Sequence, residues 1–183
     1  MNNSEEKKVS AKNIIGWVLC IVGAIALGLC IRSFVFEPVR VDGSSMADTL
    51  TDGEIMFVEK ISRYSRNFRA GDIVIVHYPI DDRAYVKRII GLPGDTICIE
   101  DGQVYLNDEL LVEDYTKDGI TPAIEIPQEG ETFTVPDEHY FCMGDNRLVS
   151  VDSRYSEVGC ITEEQIMGKA VLRLFPFNKI KTF

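Results

Sequence analysis

The sequence has few of the residues that build structural metal sites and disulfide frameworks. Only two of the 183 residues are histidines, His77 and His139, and no two cysteines form a Cys-x-x-Cys pair. This scarcity argues against a structural zinc site and gives no reason to expect a metal or cofactor. Two cysteines lie in one long apolar run, so the sequence predicts buried free thiols rather than a disulfide scaffold. The five cysteines are Cys20, Cys30, Cys98, Cys142 and Cys160.

Positive charge is also scarce. The chain has 19 Lys and Arg residues against 29 Asp and Glu residues, for a net charge of −10. A protein this acidic lacks the cationic surface that neutralises phosphates, so we expect no nucleic-acid partner. The length fits one domain with an appendage, and 45% hydrophobic residues are typical of a folded protein.

One long apolar run stands near the start of the chain. Residues 14–31 are uncharged, and as a helix they would be about 27 Å long, close to the hydrocarbon thickness of a bilayer. Apolar residues continue past Arg32, whose side chain can snorkel to the interface, and Trp17 suits the opposite interface. We predict a retained transmembrane anchor over residues 14–36.

Two alternatives compete with a retained anchor. An all-round apolar core helix would need a larger protein around it. A cleaved signal peptide would have a shorter apolar region, and no small-x-small site follows Ile31. Residues 1–13 carry three lysines and are predicted to be a disordered tail on the cytoplasmic side. Residues 37–183 would then lie outside the cytoplasm.

After the anchor the pattern is that of β structure. Short segments rich in Val, Ile, Phe and Tyr are separated by Gly, Pro, Asp and Asn. They predict a mainly β fold over residues 37–183, with antiparallel sheets packed face to face or partly closed. Residues 101–139 are more polar and are predicted to form a hairpin excursion with a tip at Asn107-Asp108. One short helical turn is expected after Thr162. The predicted strands are 35–41, 54–60, 72–78, 84–90, 95–100, 103–106, 109–112, 131–135, 140–143 and 169–175.

The stretch Gly43-Ser44-Ser45-Met46 places a hydroxyl after a flexible glycine, where a predicted strand ends. Ser45 is therefore either a nucleophile or an ordinary turn serine. The Gly-x-Ser-x-Gly elbow is absent, because Ala47 stands where the second glycine would be.

A second reactive group is Lys87, in the predicted strand over residues 85–91. Lys87 and Arg88 alternate between two faces that are otherwise apolar. Desolvation lowers the pKa of a lysine, whereas an arginine stays charged. Lys87 is thus a candidate general base and Arg88 a candidate ion-pair partner. The alternative is an edge strand from which Lys87 reaches water.

A third stretch, residues 144–154, is dense in polar groups after an apolar strand. It is predicted to be either a plain loop or a buried buttress, in which Ser150 accepts a hydrogen bond from a lysine and Asp152 pairs with Arg154. A neutral lysine can remove the proton of a serine in place of histidine. His77 and His139 offer a rival Ser-His arrangement.

Four blocks of the chain resemble the type I signal peptidases in that family's order. Gly43-Ser44-Ser45-Met46 is similar to the nucleophile block, and Arg69-Ala70-Gly71-Asp72 to the Arg-x-Gly-Asp block. Residues 85–95 (YVKRIIGLPGD) are similar to the lysine block, and residues 144–154 (GDNRLVSVDSR) to the last block. With the anchor, the resemblance covers nearly the whole chain except the polar excursion. A single anchor resembles the compact members found in Gram-positive bacteria.

The resemblance implies a membrane-bound serine endopeptidase that removes signal peptides from secreted preproteins through an acyl-enzyme. Ser45 would be the nucleophile and Lys87 the general base. Ser150 would orient the lysine, and Asp145, Asp152 and Arg154 would support that geometry. The site would lie at the surface of the cell membrane, and signal peptides with small residues at the first and third positions before the cut would bind in shallow apolar pockets. The candidate pocket residues are Val39, Val41, Met46, Leu50, Tyr85 and Val86.

Three departures from the family pattern stand out. Asp48 replaces the usual proline, which removes a rigid turn residue and adds a carboxylate that would raise the pKa of the lysine. Leu148 and Val149 fill positions that are often polar in relatives. Gly43 lacks the hydroxyl that some relatives use as an oxyanion donor, so backbone N–H groups, chiefly that of Ser45, would have to serve.

Three other functions compete with this one. A non-catalytic, membrane-anchored β module that binds peptides or proteins would leave Ser45 as a turn residue, and Asp48 favours it. The self-cleaving repressors also use a Ser-Lys dyad, but the anchor and the acidic charge argue against that class. The third is a specialised peptidase of the same family with few dedicated substrates.

Overall fold

The computed structural model describes residues 11–47, 49–78 and 83–183. It divides into two compact units, the first ending at Phe36 and the second covering Glu37–Phe183. The predicted disorder of the N-terminal tail falls largely outside the described residues, and so does Asp48.

The first unit contains one helix, α1, over Ala11–Phe34. Its stretch Asn13–Phe34 is long and apolar enough to cross a bilayer, and its side chains are not buried within the unit. Trp17, for example, is 71% exposed. The buried-core alternative is therefore wrong for this helix, and its length and composition fit a single membrane span.

The second unit is built mainly from antiparallel strands, as predicted. Its larger sheet has the order β1-β2-β11-β3-β4-β9-β10, with β12 paired to β11. β4 is an interior strand, paired antiparallel with β3 on one side and β9 on the other. The strands of this sheet are β1 (Phe36–Arg40), β2 (Ile55–Glu59), β3 (Ile73–His77), β4 (Ala84–Gly91), β9 (His139–Met143), β10 (Ile161–Thr162), β11 (Ile166–Phe175) and β12 (Lys181–Thr182).

A smaller sheet has the order β7-β6-β5-β8. Its strands are β5 (Thr96–Glu100), β6 (Gln103–Leu106), β7 (Glu109–Leu110) and β8 (Thr132–Thr134). The hairpin tip between β6 and β7 is confirmed at Asn107 and Asp108, which both have positive φ, as a two-residue type I′ turn requires. Three of these strands lie within residues 101–139, so the polar excursion is a sheet with an apolar face rather than a lone hairpin.

The core of the domain consists of three clusters of buried apolar side chains. One cluster joins the two sheets, because Ile97 and Val104 of the small sheet pack with Ile90 and Phe141 of the large one. The other two clusters involve the large sheet, one around Ile89 and Cys142 and the other around Met46 and Leu50. The strands that carry functional residues are therefore fixed by packing on both faces.

Several local predictions need correction. Helix α2, over Ile61–Ser65, was not predicted, because its first N–H groups are satisfied by Glu59 from the preceding strand rather than by a local cap. The helical turn after Thr162 is confirmed as a 3-10 turn with a capping box. The cysteines are free among the described residues, but only Cys142 is buried. Cys20 and Cys30 are exposed on α1, and Cys98 and Cys160 are half-buried.

Candidate active site

Lys87 lies in the middle of β4 with only 1% of its surface exposed. Because β4 is an interior strand, the Lys87 side chain cannot reach water along a sheet edge. The edge-strand alternative is therefore wrong. Lys87 Nζ instead donates a hydrogen bond of 3.0 Å to Ser150 Oγ. This is the contact that the buttress hypothesis required.

Burial lowers the pKa of the Lys87 ammonium to about 8. The carboxylate of Asp152 opposes this shift, and the guanidinium of Arg154 adds to it. The predicted desolvation of a strand lysine is thus present in the structure. The lowered pKa increases the neutral fraction of Lys87 near physiological pH, and the neutral amine is the form that can accept a proton.

Ser45 is half-buried in the turn that follows β1. The backbone of this turn is tied to the loop over residues 144–154, since the N–H of Asn146 donates to Ser45 O at 3.0 Å. The side chain of Asn146 also donates to Ser44 O at 3.1 Å. Two backbone carbonyls of the serine stretch are therefore fixed by one residue of the polar loop.

Gly144 is the point where these parts meet. A Cβ atom on Gly144 would lie 2.5 Å from Ser45 O and 2.6 Å from Ser150 Cβ, with Ser150 Oγ closer still. No side chain fits in this space without moving one of them. The structure thus brings the Ser45 turn and the Ser150 hydroxyl together against the same side of one glycine, with Lys87 bound to that hydroxyl.

Behind Ser150 lies a buried ion pair. Asp152 and Arg154 are both 0% exposed, and Arg154 Nε donates to Asp152 Oδ1 at 2.8 Å. Burial alone would raise the pKa of Asp152, but the hydrogen bonds and charge of Arg154 outweigh it and hold the pKa below its ordinary value. Ser150 also helps to lower the pKa of Asp152, so Lys87, Ser150 and this carboxylate belong to one buried polar cluster.

Asp145 supports the loop from the opposite face of β4. Its two carboxylate oxygens accept hydrogen bonds of 2.9 and 2.7 Å from Arg88, and Arg88 also donates to Gly71 O. The predicted role of Arg88 as an ion-pair partner is confirmed. Because Lys87 and Arg88 point to opposite faces, Asp145 contacts the loop and Arg88 rather than the lysine.

A cleft opens beside Ser45, and five of the six candidate pocket residues line it: Val39, Val41, Met46, Tyr85 and Val86. Leu50 is instead fully buried in the core cluster around Met46. Its side chain packs beneath the turn, so its predicted place in a substrate pocket is not supported. Neither histidine is among the residues that line the cleft, which gives no support to the Ser-His alternative.

Other residues around the site were missed by sequence reasoning. The Tyr78 hydroxyl donates to Val151 O at 3.0 Å, and its ring stacks on Tyr85 with centroids 4.3 Å apart. Arg147 is buried and donates through Nε to Gly144 O at 3.0 Å. The period-two pattern of β3 could have indicated a buried Tyr78, whereas no local signal distinguishes Arg147 from an exposed loop cation. Within the described part of the chain, no group of three or more His, Cys, Asp or Glu residues could hold a metal ion.

Comparison with known proteins identifies the family. The model of the family described as "Signal peptidase, peptidase S26" matches residues 14–175. Signal peptidase I of Bacillus licheniformis is 41% identical over 97% of this chain and 98% of its own length. Signal peptidase I T of Bacillus subtilis strain 168 is 39% identical over 98% and 95%. A crystal structure of a signal peptidase I from Enterococcus faecalis V583 shares 30% identity, with a TM-score of 0.47, over 56% of this chain and 96% of that one. The family model and the two Bacillus relatives show that the chain belongs to the signal peptidase family, peptidase S26.

Proposed function

We propose that this protein is a membrane-bound serine endopeptidase that removes signal peptides from preproteins, with Ser45 as nucleophile and Lys87 as general base. The observation that carries the proposal is a lysine that is buried, has a pKa near 8 and is held by Ser150 beside the Ser45 turn. The names of the two Bacillus relatives, signal peptidase I and signal peptidase I T, support the substrate class.

The chemistry follows a Ser-Lys dyad. Neutral Lys87 takes the proton of the Ser45 hydroxyl as the oxygen attacks the scissile carbonyl. The resulting ammonium gives that proton to the leaving amine, and the C–N bond breaks to leave an acyl group on Ser45. Neutral Lys87 then activates a water, whose attack releases the acid and restores the Ser45 hydroxyl. Ser150 and Asp152 hold the amine in place during both steps.

Backbone groups supply the oxyanion site in this proposal. Gly43 has no hydroxyl, and its N–H already donates to Asp52 Oδ1 at 3.0 Å. We therefore assign the oxyanion donor to the N–H of Ser45, which moves with the nucleophile itself. A donor of this kind stabilises the negative oxygen of the tetrahedral intermediate.

The proposal also includes the kind of substrate and the membrane topology. The cleft beside Ser45 is narrow and has an apolar wall, which suits small side chains near the cut. The span within α1 would anchor the chain in the cell membrane, with the lysine-bearing end in the cytoplasm and residues 37–183 outside it. In this arrangement the enzyme meets preproteins as they emerge from the membrane.

The test is cleavage of a preprotein by the full chain in detergent, with cut sites read by mass spectrometry. Ser45→Ala and Lys87→Met should each abolish processing, while the control Ser44→Ala, at an exposed neighbouring serine, should retain it. Full processing by either dyad variant would disprove the mechanism. Failure of the wild-type chain to cleave any of a set of signal peptides would instead favour a binding module.

A further inference from the structure

The segment over residues 111–126, here called the strap, joins β7 to β8 and has neither helix nor strand. It lies along the polar loop that carries Ser150. The N–H groups of Glu125 and Ile126 both donate to Arg154 O at 3.0 Å, and Arg154 donates in return to Pro122 O. The strap therefore packs against the end of this loop. None of the sequence blocks that resemble the family lies in it.

One buried ion pair links the strap to the loop. Glu113 accepts hydrogen bonds from both terminal nitrogens of Arg147, one of them at 2.8 Å, and the two side chains are 8% and 1% exposed. Arg147 also donates to Thr121 Oγ1, a second strap residue. A buried guanidinium needs such partners, because an unpaired charge in this position would be strongly destabilising.

The same guanidinium reaches the glycine at the centre of the site. Arg147 Nε donates to Gly144 O at 3.0 Å, while Asp152 Oδ2 accepts from Gly144 N at 3.1 Å. Gly144 is thus held from both ends of its backbone. Its position decides the separation between Ser45 O and Ser150 Oγ, since both lie against it.

A tyrosine completes the connection. The Tyr115 hydroxyl donates to Glu113 Oε1 at 2.8 Å, which helps to fix the carboxylate. The Tyr115 ring also lies over the Arg88 guanidinium, 3.9 Å from its central carbon to the ring centroid. The strap therefore contacts both ion pairs that anchor the loop, Arg147–Glu113 on one side and Arg88–Asp145 on the other.

We propose that Glu113 is a positioning residue of the active site, which acts through Arg147 to hold Gly144 and thereby keeps Ser150 against Lys87. This inference rests on the proposed peptidase function. Without the carboxylate, the terminal nitrogens of Arg147 lose their charged partner, and a shift of the guanidinium toward water releases Gly144 O. A misplacement of catalytic groups by about 1 Å can cost on the order of a hundredfold in rate.

A loosened loop should also alter the titration of Lys87. The charged or titratable groups around this lysine are Asp152, Arg154, Cys142 and Asp145, and burial is the largest influence on its pKa. Water that enters beside Ser150 would reduce the desolvation of Lys87 and raise its pKa. Loss of Glu113 should therefore move the acid limb of the kcat profile to higher pH, an effect that simple loss of folded protein would not produce.

The experiment compares Glu113→Gln with the control Glu129→Gln in the full chain. Glu129 accepts a hydrogen bond from the N–H of Asp101, so the control also removes one charge and weakens one contact, but away from the loop. We expect Glu113→Gln to lower kcat roughly tenfold or more with KM nearly unchanged, and to shift the acid limb upward. Glu129→Gln should match the wild type in both respects. Equal kcat and equal pH profiles for the two variants would overturn the proposal.

Two further variants keep the inference testable if Glu113→Gln folds poorly. Tyr115→Phe removes only the hydroxyl that fixes Glu113 and should lower kcat a few-fold; wild-type kcat would count against the proposal. In an Arg147→Met background, Glu113→Gln should have no additional effect on kcat, because its action passes through Arg147. Independent effects of the two substitutions would contradict that route. If the wild-type chain cleaves preproteins and these results fail, only the role of Glu113 is wrong.

Discussion

Lys87 and Ser150, 63 positions apart in the chain, share a buried hydrogen bond of 3.0 Å. The bond leaves the lysine amine held in an apolar setting with one hydroxyl partner, rather than with a carboxylate that would keep it charged. Asp152 lies behind Ser150 and is paired with Arg154, which neutralises its charge. This separation explains why the pKa of Lys87 falls although a carboxylate is near.

The first prediction concerns Ser150. Ser150→Ala should lower kcat by roughly ten- to a hundredfold, because the lysine amine loses the hydroxyl that orients it. KM for the substrate should change little, since Ser150 is 1% exposed and does not line the cleft. Steady-state cleavage of a fluorogenic signal peptide measures both constants. Ser65→Ala, at an exposed serine of α2, serves as the control, and equal kcat values for the two variants would disprove the orienting role.

The second prediction is the pH dependence of the reaction. In the proposed mechanism only neutral Lys87 acts as a base, and burial lowers its pKa to about 8. With chemistry limiting, kcat should rise about tenfold per pH unit below this value and level off above it. Single-turnover cleavage between pH 5.5 and 10 measures the profile. A flat profile over this range would show that no group with this pKa controls the step.

The third prediction is that the buried Lys87 costs stability. Folding lowers the pKa of Lys87 from 10.5 to about 8, so the ammonium is disfavoured in the folded state. Below pH 8 this amounts to about 3 kcal/mol, and the cost disappears as pH rises through 10.5, where the unfolded lysine also becomes neutral. Lys87→Met should therefore raise the free energy of unfolding at pH 7 by up to about that amount.

Denaturant unfolding of the wild type and Lys87→Met at pH 7 and pH 10.5 tests this prediction. The difference between the two proteins should shrink to less than about 1 kcal/mol at the higher pH. Lys60→Met, at an ion pair with Glu37 near the surface, is a control that should not become more stable. A pH-independent difference for Lys87→Met would mean that packing of the methionine, not the lysine charge, explains the result.

The fourth prediction separates packing from catalysis with two glycines. A Cβ on Gly144 would overlap Ser45 O and Ser150, whereas a Cβ on Gly168 would overlap Glu59 O, outside the site. Both Gly144→Ala and Gly168→Ala should lower the free energy of unfolding by about 1–3 kcal/mol or more through overpacking. Only Gly144→Ala should also lower kcat per folded molecule. Thermal unfolding combined with active-site titration gives both quantities, and unchanged kcat in Gly144→Ala would contradict its central position.

Much of the fold could be predicted because its signals are local. The apolar run that forms α1 and the short β-rich segments bounded by turn residues follow directly from periodicity and composition. The hairpin tip at Asn107-Asp108 and the capping box at Thr162 are likewise set by residues a few positions apart. Helix α2 was missed because the carboxylate that caps it belongs to the preceding strand.

The parts of the site that could be predicted are those in which the residue type itself indicates the chemistry, such as a lysine that can act as a base. Alternation along β4 separated Lys87 from Arg88, and the structure places them on opposite faces with the expected kinds of partner. Leu50 lies in the core beneath the cleft rather than in its lining, a distinction that sequence cannot make. Glu113 and Tyr115 were missed because they lie in an irregular strap whose composition gives no sign of burial.

By itself, the sequence determined the apolar span, the β character of the remaining chain and the identity of the candidate nucleophile and base, because residue type and short-range periodicity are sufficient for these. Only the tertiary structure decided that β4 is an interior strand and that Gly144 lies against both Ser45 and Ser150. It also decided that the strap buries Glu113 against Arg147. The pKa of Lys87 depends on these tertiary contacts, because all the groups packed around the amine contribute to its desolvation.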